Sequence, residues 1–142
     1  MTEVMFHFNV PDKLGYACRL LRKASASGRP VGVLAPEPLL TELDRALWSF
    51  APLEFLPHCL SSASPDVLAQ TPLVLATDSA QLPHTDVLLH LGDAVPAGFE
   101  RFERLIELVG TNENDRLQAR QRWRHYADRG YAIQRHDVKA SH

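Results

Sequence analysis

Two stretches of this 142-residue chain, PVGVLA at 30–35 and PLVLAT at 72–77, are apolar almost without a break. A strand with one face in water alternates apolar and polar residues, whereas an uninterrupted apolar run belongs to a strand covered on both faces, as in a parallel sheet flanked by helices. VMFHFNV near the start and DVLLHL at 86–91 read as two further strands. Helical spacing fills the intervals. Asp12 is placed to cap a first helix in which Leu14, Ala17, Cys18 and Leu21 share a face, and Gly28-Arg29-Pro30 stops it. A second begins near Pro38 and buries Leu39, Leu43, Ala46, Leu47 and Phe50. A third is predicted from about Ala97, with Phe99, Phe102, Ile106 and Val109 on one stripe and Gly110 as its end. The fourth, RLQARQRWRHYADRGY at 116–131, is entered through Asn112 or Asn114 and leads into a short strand at YAIQR. Alternation of this kind defines an α/β fold of three layers around a mostly parallel, doubly wound sheet.

The length suits one domain, 1–137, able to bury roughly 70% of its unfolded surface. CLSSASPDVLAQTP at 59–72 reads as a surface loop, and 138–142 as a frayed tail. The start MTEVMFHFNV lacks a basic segment followed by a long apolar one, and no run approaches the ~20 apolar residues of a membrane helix, so a cytoplasmic protein without a membrane partner is expected. Cys18 and Cys59 stand alone without metal-ligand spacing; no metal site is expected.

A Rossmann-like outline invites a nucleotide, but none of the seven glycines falls in GxGxxG or GxxxxGK[ST]. The turn after the first strand is NVPDKLG, with Pro and Asp where a phosphate cradle needs Gly and free N–H groups, so no cofactor is expected. No GxSxG elbow is present, and His7 and His90 lie inside strand patterns, where a structural histidine is the default reading. Only a buried cluster of His7, Asp12 and His90 would revive an enzyme. The chain therefore reads as non-catalytic.

Two surfaces exceed what a core needs. On the second helix Trp48 falls about 150° from the centre of the apolar arc, on the side away from the core. Either the following LEFLPH segment covers the indole, or Trp48, Phe55 and Pro57 form an apolar patch for another protein. On the fourth helix Ala119, Trp123, Tyr126 and Ala127 form the inward face, and Arg116, Arg120 and Arg124 line up beside it at i, i+4 and i+8. The bland reading is a solvated charged face. The other is an anion receptor, because like charges at that spacing cost a helix about 0.2–0.5 kcal/mol per pair unless a partner relieves them. With a net charge of −2, any such function is local.

FHFNV at the start, LDRALWSF followed by FLPH, and a last helix of pattern R-L-x-x-A-R-x-R-W-R-x-Y ending in G-Y together resemble the chi subunit family of bacterial DNA polymerase III. The likeness spans almost the whole chain, is strongest at 43–58 and 116–131, and fails at 59–72. It implies a non-catalytic clamp-loader accessory subunit with a Rossmann-like fold, touching DNA only indirectly within the replisome. It implies two partners. The acidic C-terminal tail of single-stranded DNA-binding protein would meet Val109, Arg116, Arg120, Trp123 and Arg124. The psi subunit would meet Trp48 and Phe55, with Pro57 and His58 at the edge, a surface where a helicase is a further candidate partner. The rival reading is direct single-strand nucleic-acid binding, with the three arginines on phosphates and Trp123 or Tyr131 stacking on bases.

Overall fold

The apolar runs do form strands covered on both sides. The structure, a computed structural model, describes residues 1–49 and 56–139. Along the chain come β1 (Glu3–Val10), α1 (Lys13–Ser27), β2 (Val31–Leu34), α2 (Glu37–Ser49), β3 (His58–Leu60), α3 (Pro65–Gln70), β4 (Leu73–Ala76), β5 (Val87–His90), β6 (Arg104–Gly110), α4 (Glu113–Asp128) and β7 (Ile133–Asp137). The strands make one seven-stranded sheet in the order β3-β4-β2-β5-β6-β1-β7. Every neighbouring pair is parallel.

Alternate residues of each central strand feed two separate cores, one per face. Val31, Val33, Leu73, Leu75, Val87 and Leu89 join Leu21, Leu43 and Leu47 of α1 and α2 on the first face. Leu34, Val74, Ala76 and Leu88 join Phe6, Phe99, Phe102, Ala119 and Tyr126 on the second, beneath α4. Each buried Leu, Val or Phe contributes about 1.5–3 kcal/mol, and the sheet collects it on both faces, which is why its centre tolerates few polar residues. Gly32 is required by this packing: a Cβ there would lie 2.7 Å from a methyl of Leu82.

Helix ends follow the sequence. The Asp12 carboxylate accepts the Gly15 N–H, and Gly28, at φ 78°, closes α1. The Asn112 side chain accepts from the N–H groups of Asn114 and Asp115 and starts α4. On α2 the fully buried residues are Leu40, Leu43 and Leu47, while Leu39 and Ala46 pack partly; Phe50 lies outside the described residues.

The helix predicted for 97–110 does not form. Gly98, at φ 78°, opens a single 3-10 turn, Phe99–Arg101, and Arg104–Gly110 is β6, between β5 and β1. The aromatic spacing is genuine, and Phe99 and Phe102 are both buried, but they anchor a turn on the second face. Beyond them Leu105 and Val109 enter one core and Leu108 the other, the period of two that marks a strand. Glu107 in the middle disguised the run, because a carboxylate at the centre of a two-sided strand is tolerated only with partners. The 59–72 segment is also more ordered than a loop: it holds the end of β3 and the short α3. Val138, placed by its sequence in a frayed tail, is buried, and its N–H donates to the Phe8 carbonyl.

On the α1 face, His7 is buried with Nδ1 2.5 Å from the Tyr16 hydroxyl, and the His136 ring stands across the strand pair. Burial, and then the charge of His136, lower its pKa from 6.5 to about 4. The folded protein thus refuses a proton that the unfolded chain accepts below pH 6.5. The contribution is complete above pH 6.5 and drains away as pH falls toward 4. Urea titrations are expected to show up to about 3 kcal/mol lost over this window, and a His7→Phe variant to show a flatter profile there.

Candidate functional site

β1 and β6 are neighbours, yet the helices that follow them, α1 and α4, cover opposite faces of the sheet. Such a junction opens the crevice where doubly wound proteins hold nucleotides. Here Lys13 and Asp115 span it: the ammonium lies 3.3 Å from the carboxylate and 3.4 Å from the Leu91 carbonyl, and Asp115 also accepts the Gly110 N–H at 2.6 Å. His7, Asp12 and His90 are not brought together. Asp12 caps α1, His7 pairs with Tyr16 on the α1 face, and His90 pairs with Glu107 on the α4 face. Among the described residues no group of three His, Cys, Asp or Glu side chains is placed to hold a metal, and no helix is long and apolar enough to cross a membrane.

A groove of about 750 Å³ lies between α4 and the strands β1 and β7. Phe6, Phe8, Val109, Ala119 and Trp123 give it an apolar lining, and Arg116, Arg120, Arg124 and Arg135 bring it four guanidinium groups. All five residues singled out from the late helix and its preceding strand, Val109, Arg116, Arg120, Trp123 and Arg124, therefore meet on one cavity. Trp123 is half-buried, its ring 5.1 Å from that of Phe6. Arg116 donates to the Asn9 side chain at 2.9 Å, and Asn9 in turn donates to Asp137. Asn9 reaches both because β1 breaks register between His7 and Val10, with Asn9 in the left-handed region at φ 60°. That conformation suits Asn better than most residues, and the bulge turns its amide toward the groove mouth.

The inward face of α4 is rotated from its prediction, toward Arg122 and away from Ala127. Ala119, Arg122 and Tyr126 are buried, Trp123 only partly, and Ala127 is exposed. Arg122 is the surprise. Its Nε lies 3.1 Å from Glu107 Oε1, in ion-pair range without hydrogen-bond alignment, and its Nη1 donates to the Asp93 carbonyl at 2.7 Å. Glu107, 0% exposed, also accepts from His90 Nδ1 at 2.6 Å and from the Tyr126 hydroxyl at 2.5 Å. Burial disfavours its charge, but His90, Arg122 and Tyr126 outweigh that and hold its pKa below the ordinary carboxylate value. Burial, and then Glu107 itself, push the Tyr126 phenol far upward, so it stays a donor. Nothing local in the sequence separates Arg122 from the four other arginines of 116–131; only the carboxylate beneath it does.

The second surface lies on α2. Trp48 is 57% exposed, its ring 4.6 Å from that of His58. His58 is buried, donates from Nδ1 to the Leu56 carbonyl at 2.7 Å, and has Nε2 3.2 Å from Asp44. The His58 ring thus packs beside the indole, which remains largely exposed. Pro57 is exposed beside it. Phe55 lies outside the described residues. Leu60, 40% exposed on β3, is a further exposed apolar side chain that no pattern in the sequence marked.

Fold and groove define a single-domain α/β protein of Rossmann-like architecture that presents a cationic, apolar-lined cleft. Residues 1–134 match the family described as "DNA polymerase III chi subunit, HolC", and the chain belongs to that family. It is similar to the DNA polymerase III subunit chi of Pseudomonas aeruginosa, 35% identical over 142 residues covering 96% of each chain. It is also similar to the subunit of the same name in Haemophilus influenzae, 27% identical over 124 residues, 86% of this chain and 85% of that one. Chi is an accessory subunit in DNA replication, as the resemblance implied.

Removing one member of the buried network strands the others. Glu107→Ala is expected to cost about 3–5 kcal/mol in denaturant unfolding, because Arg122 loses its counter-charge inside the fold. Arg124→Ala, on the open side of the same helix, is expected to stay within about 0.5 kcal/mol of the parent.

Proposed function

We propose that the protein bridges two partners, taking the acidic C-terminal tail of single-stranded DNA-binding protein in the α4 groove and psi on the Trp48 surface. The observation that carries this reading is the groove itself: an apolar slot and four cations on one cavity, where a solvated charged helix face would need neither. An Asp-rich chain end with a terminal apolar residue fits both features. The apolar side chain enters beside Val109, Ala119 and Trp123, and guanidinium forks take the terminal carboxylate and the aspartates behind it. Arg120 and Arg124 support this role, since among the described residues neither is held by an ion pair or side-chain hydrogen bond.

The rings favour a peptide over single-stranded nucleic acid. Trp123 leans on Phe6, and Tyr131 packs 5.2 Å from Phe99 within the core below α4, so neither stands clear as a platform for bases. DNA is then reached only through the tail's own protein. Ordering a disordered tail costs free energy, so the affinity is expected to be micromolar, about −8 kcal/mol, and to weaken with salt. At Trp48, a large aromatic side chain that packs beside His58 and is still 57% exposed is the kind of anchor that dominates protein interfaces.

The test is a calorimetric titration with an Asp-rich peptide ending in an apolar residue. Arg120→Ala is expected to weaken binding at least about ten-fold with an unchanged melting temperature, since it removes one charge-assisted contact from an exposed site. Unchanged affinity would remove the groove from consideration. Trp48→Ala is expected to abolish co-purification with psi and leave peptide affinity intact; losing both together would instead indicate misfolding.

A further inference from the structure

Arg135 stands apart from the other cations of the groove. It comes from β7, the last strand of the sheet, paired in register with Phe6, and it lines the cavity from the wall that faces α4. It is exposed, and among the described residues no ion pair or hydrogen bond holds it. Three surface arginines outside the groove are engaged: Arg29 with Glu103 at 3.0 Å, Arg104 with Glu3 at 3.3 Å and Arg101 with the Ser79 carbonyl at 2.8 Å. A guanidinium left without an internal counter-charge beside an apolar surface is in place for an external one.

Its distance from the apolar slot says which part of a ligand it meets. Val109 is on β6 and Arg135 on β7, with β1 between them. Two strand spacings amount to on the order of 10 Å, a length that an extended chain covers in about three residues. A terminal side chain seated against Val109, Ala119 and Trp123 would turn its own carboxylate toward Arg120 on α4, with Arg135 on the opposite wall of the groove. We infer that Arg135 is a specificity-determining residue of the groove, binding an acidic side chain about three residues before the chain end. The groove then reads two carboxylates at a set separation, one from α4 and one from β7, and binds peptides that carry only the first more weakly. This inference rests on the peptide reading of the groove given above.

The experiment is calorimetry on the full chain with three peptides: an Asp-rich one with a free terminal carboxylate, its C-terminally amidated form, and a form with Asn replacing the Asp three residues before the terminal residue. Arg135→Ala is expected to weaken the first two by the same factor, about five-fold, as befits an exposed ion pair. It is expected to bind the Asn peptide as the parent protein does. Arg135→Lys should recover part of the loss. If Arg135→Ala binds all three peptides like the parent while Arg120→Ala fails, the inference is overturned and the groove reading survives. Equal weakening on the Asn peptide also overturns it, since the residue would then act only through its field. If neither Arg120→Ala nor Arg135→Ala changes binding, the groove reading itself falls.

Discussion

A single ionised carboxylate, Glu107, ties the centre of the sheet to the helix that lies over it. Left alone in a two-sided parallel sheet it would be intolerable. With His90 on the neighbouring strand and Tyr126 and Arg122 on α4 it becomes a point of attachment with direction. Apolar packing between a helix and a sheet permits some rotation about the helix axis; contacts from one carboxylate to residues 122 and 126 do not. The rotation of α4, and with it the bearing of every other arginine on that helix, follows from this one group.

Arg122 turns inward to meet Glu107, and the same rotation carries Arg116, Arg120 and Arg124 to the groove side. The division of labour among chemically identical residues is thus decided from below. One arginine is consumed in stabilising the fold while its neighbours keep their charge available. The floor of the groove comes from elsewhere, from Phe6 and Phe8 on β1, so the cavity exists only where helix and sheet are assembled. Lys13 and Asp115 fix the other end of the same seam and occupy the crevice that related architectures leave open for a phosphate.

What the sequence revealed, and what it hid, divides by range of interaction. PVGVLA and PLVLAT announced buried parallel strands because continuous apolarity has few other solutions. Asp12 and Asn112 announced helix starts because capping is settled within a few residues. Arg116, Arg120 and Arg124 could be grouped because helical spacing alone puts them on one side. Leu105–Val109 was misread because a stripe of aromatics led into it and a buried glutamate interrupted its apolar pattern; its status as a central strand depends on partners far along the chain. Arg122 was indistinguishable from its neighbours for the same reason. Phe6, Phe8, Asn9 and Arg135 joined the groove from strands that are adjacent in space and distant in sequence, where periodicity is silent.

The strand order places β3, which supports Trp48, and β7, which carries Arg135, at the two ends of the sheet. Six interstrand steps separate them, about 29 Å. The rigid sheet is therefore a ruler as well as a scaffold. The two surfaces are held at a constant spacing by hydrogen-bonded backbone, free of the slack a flexible linker would bring.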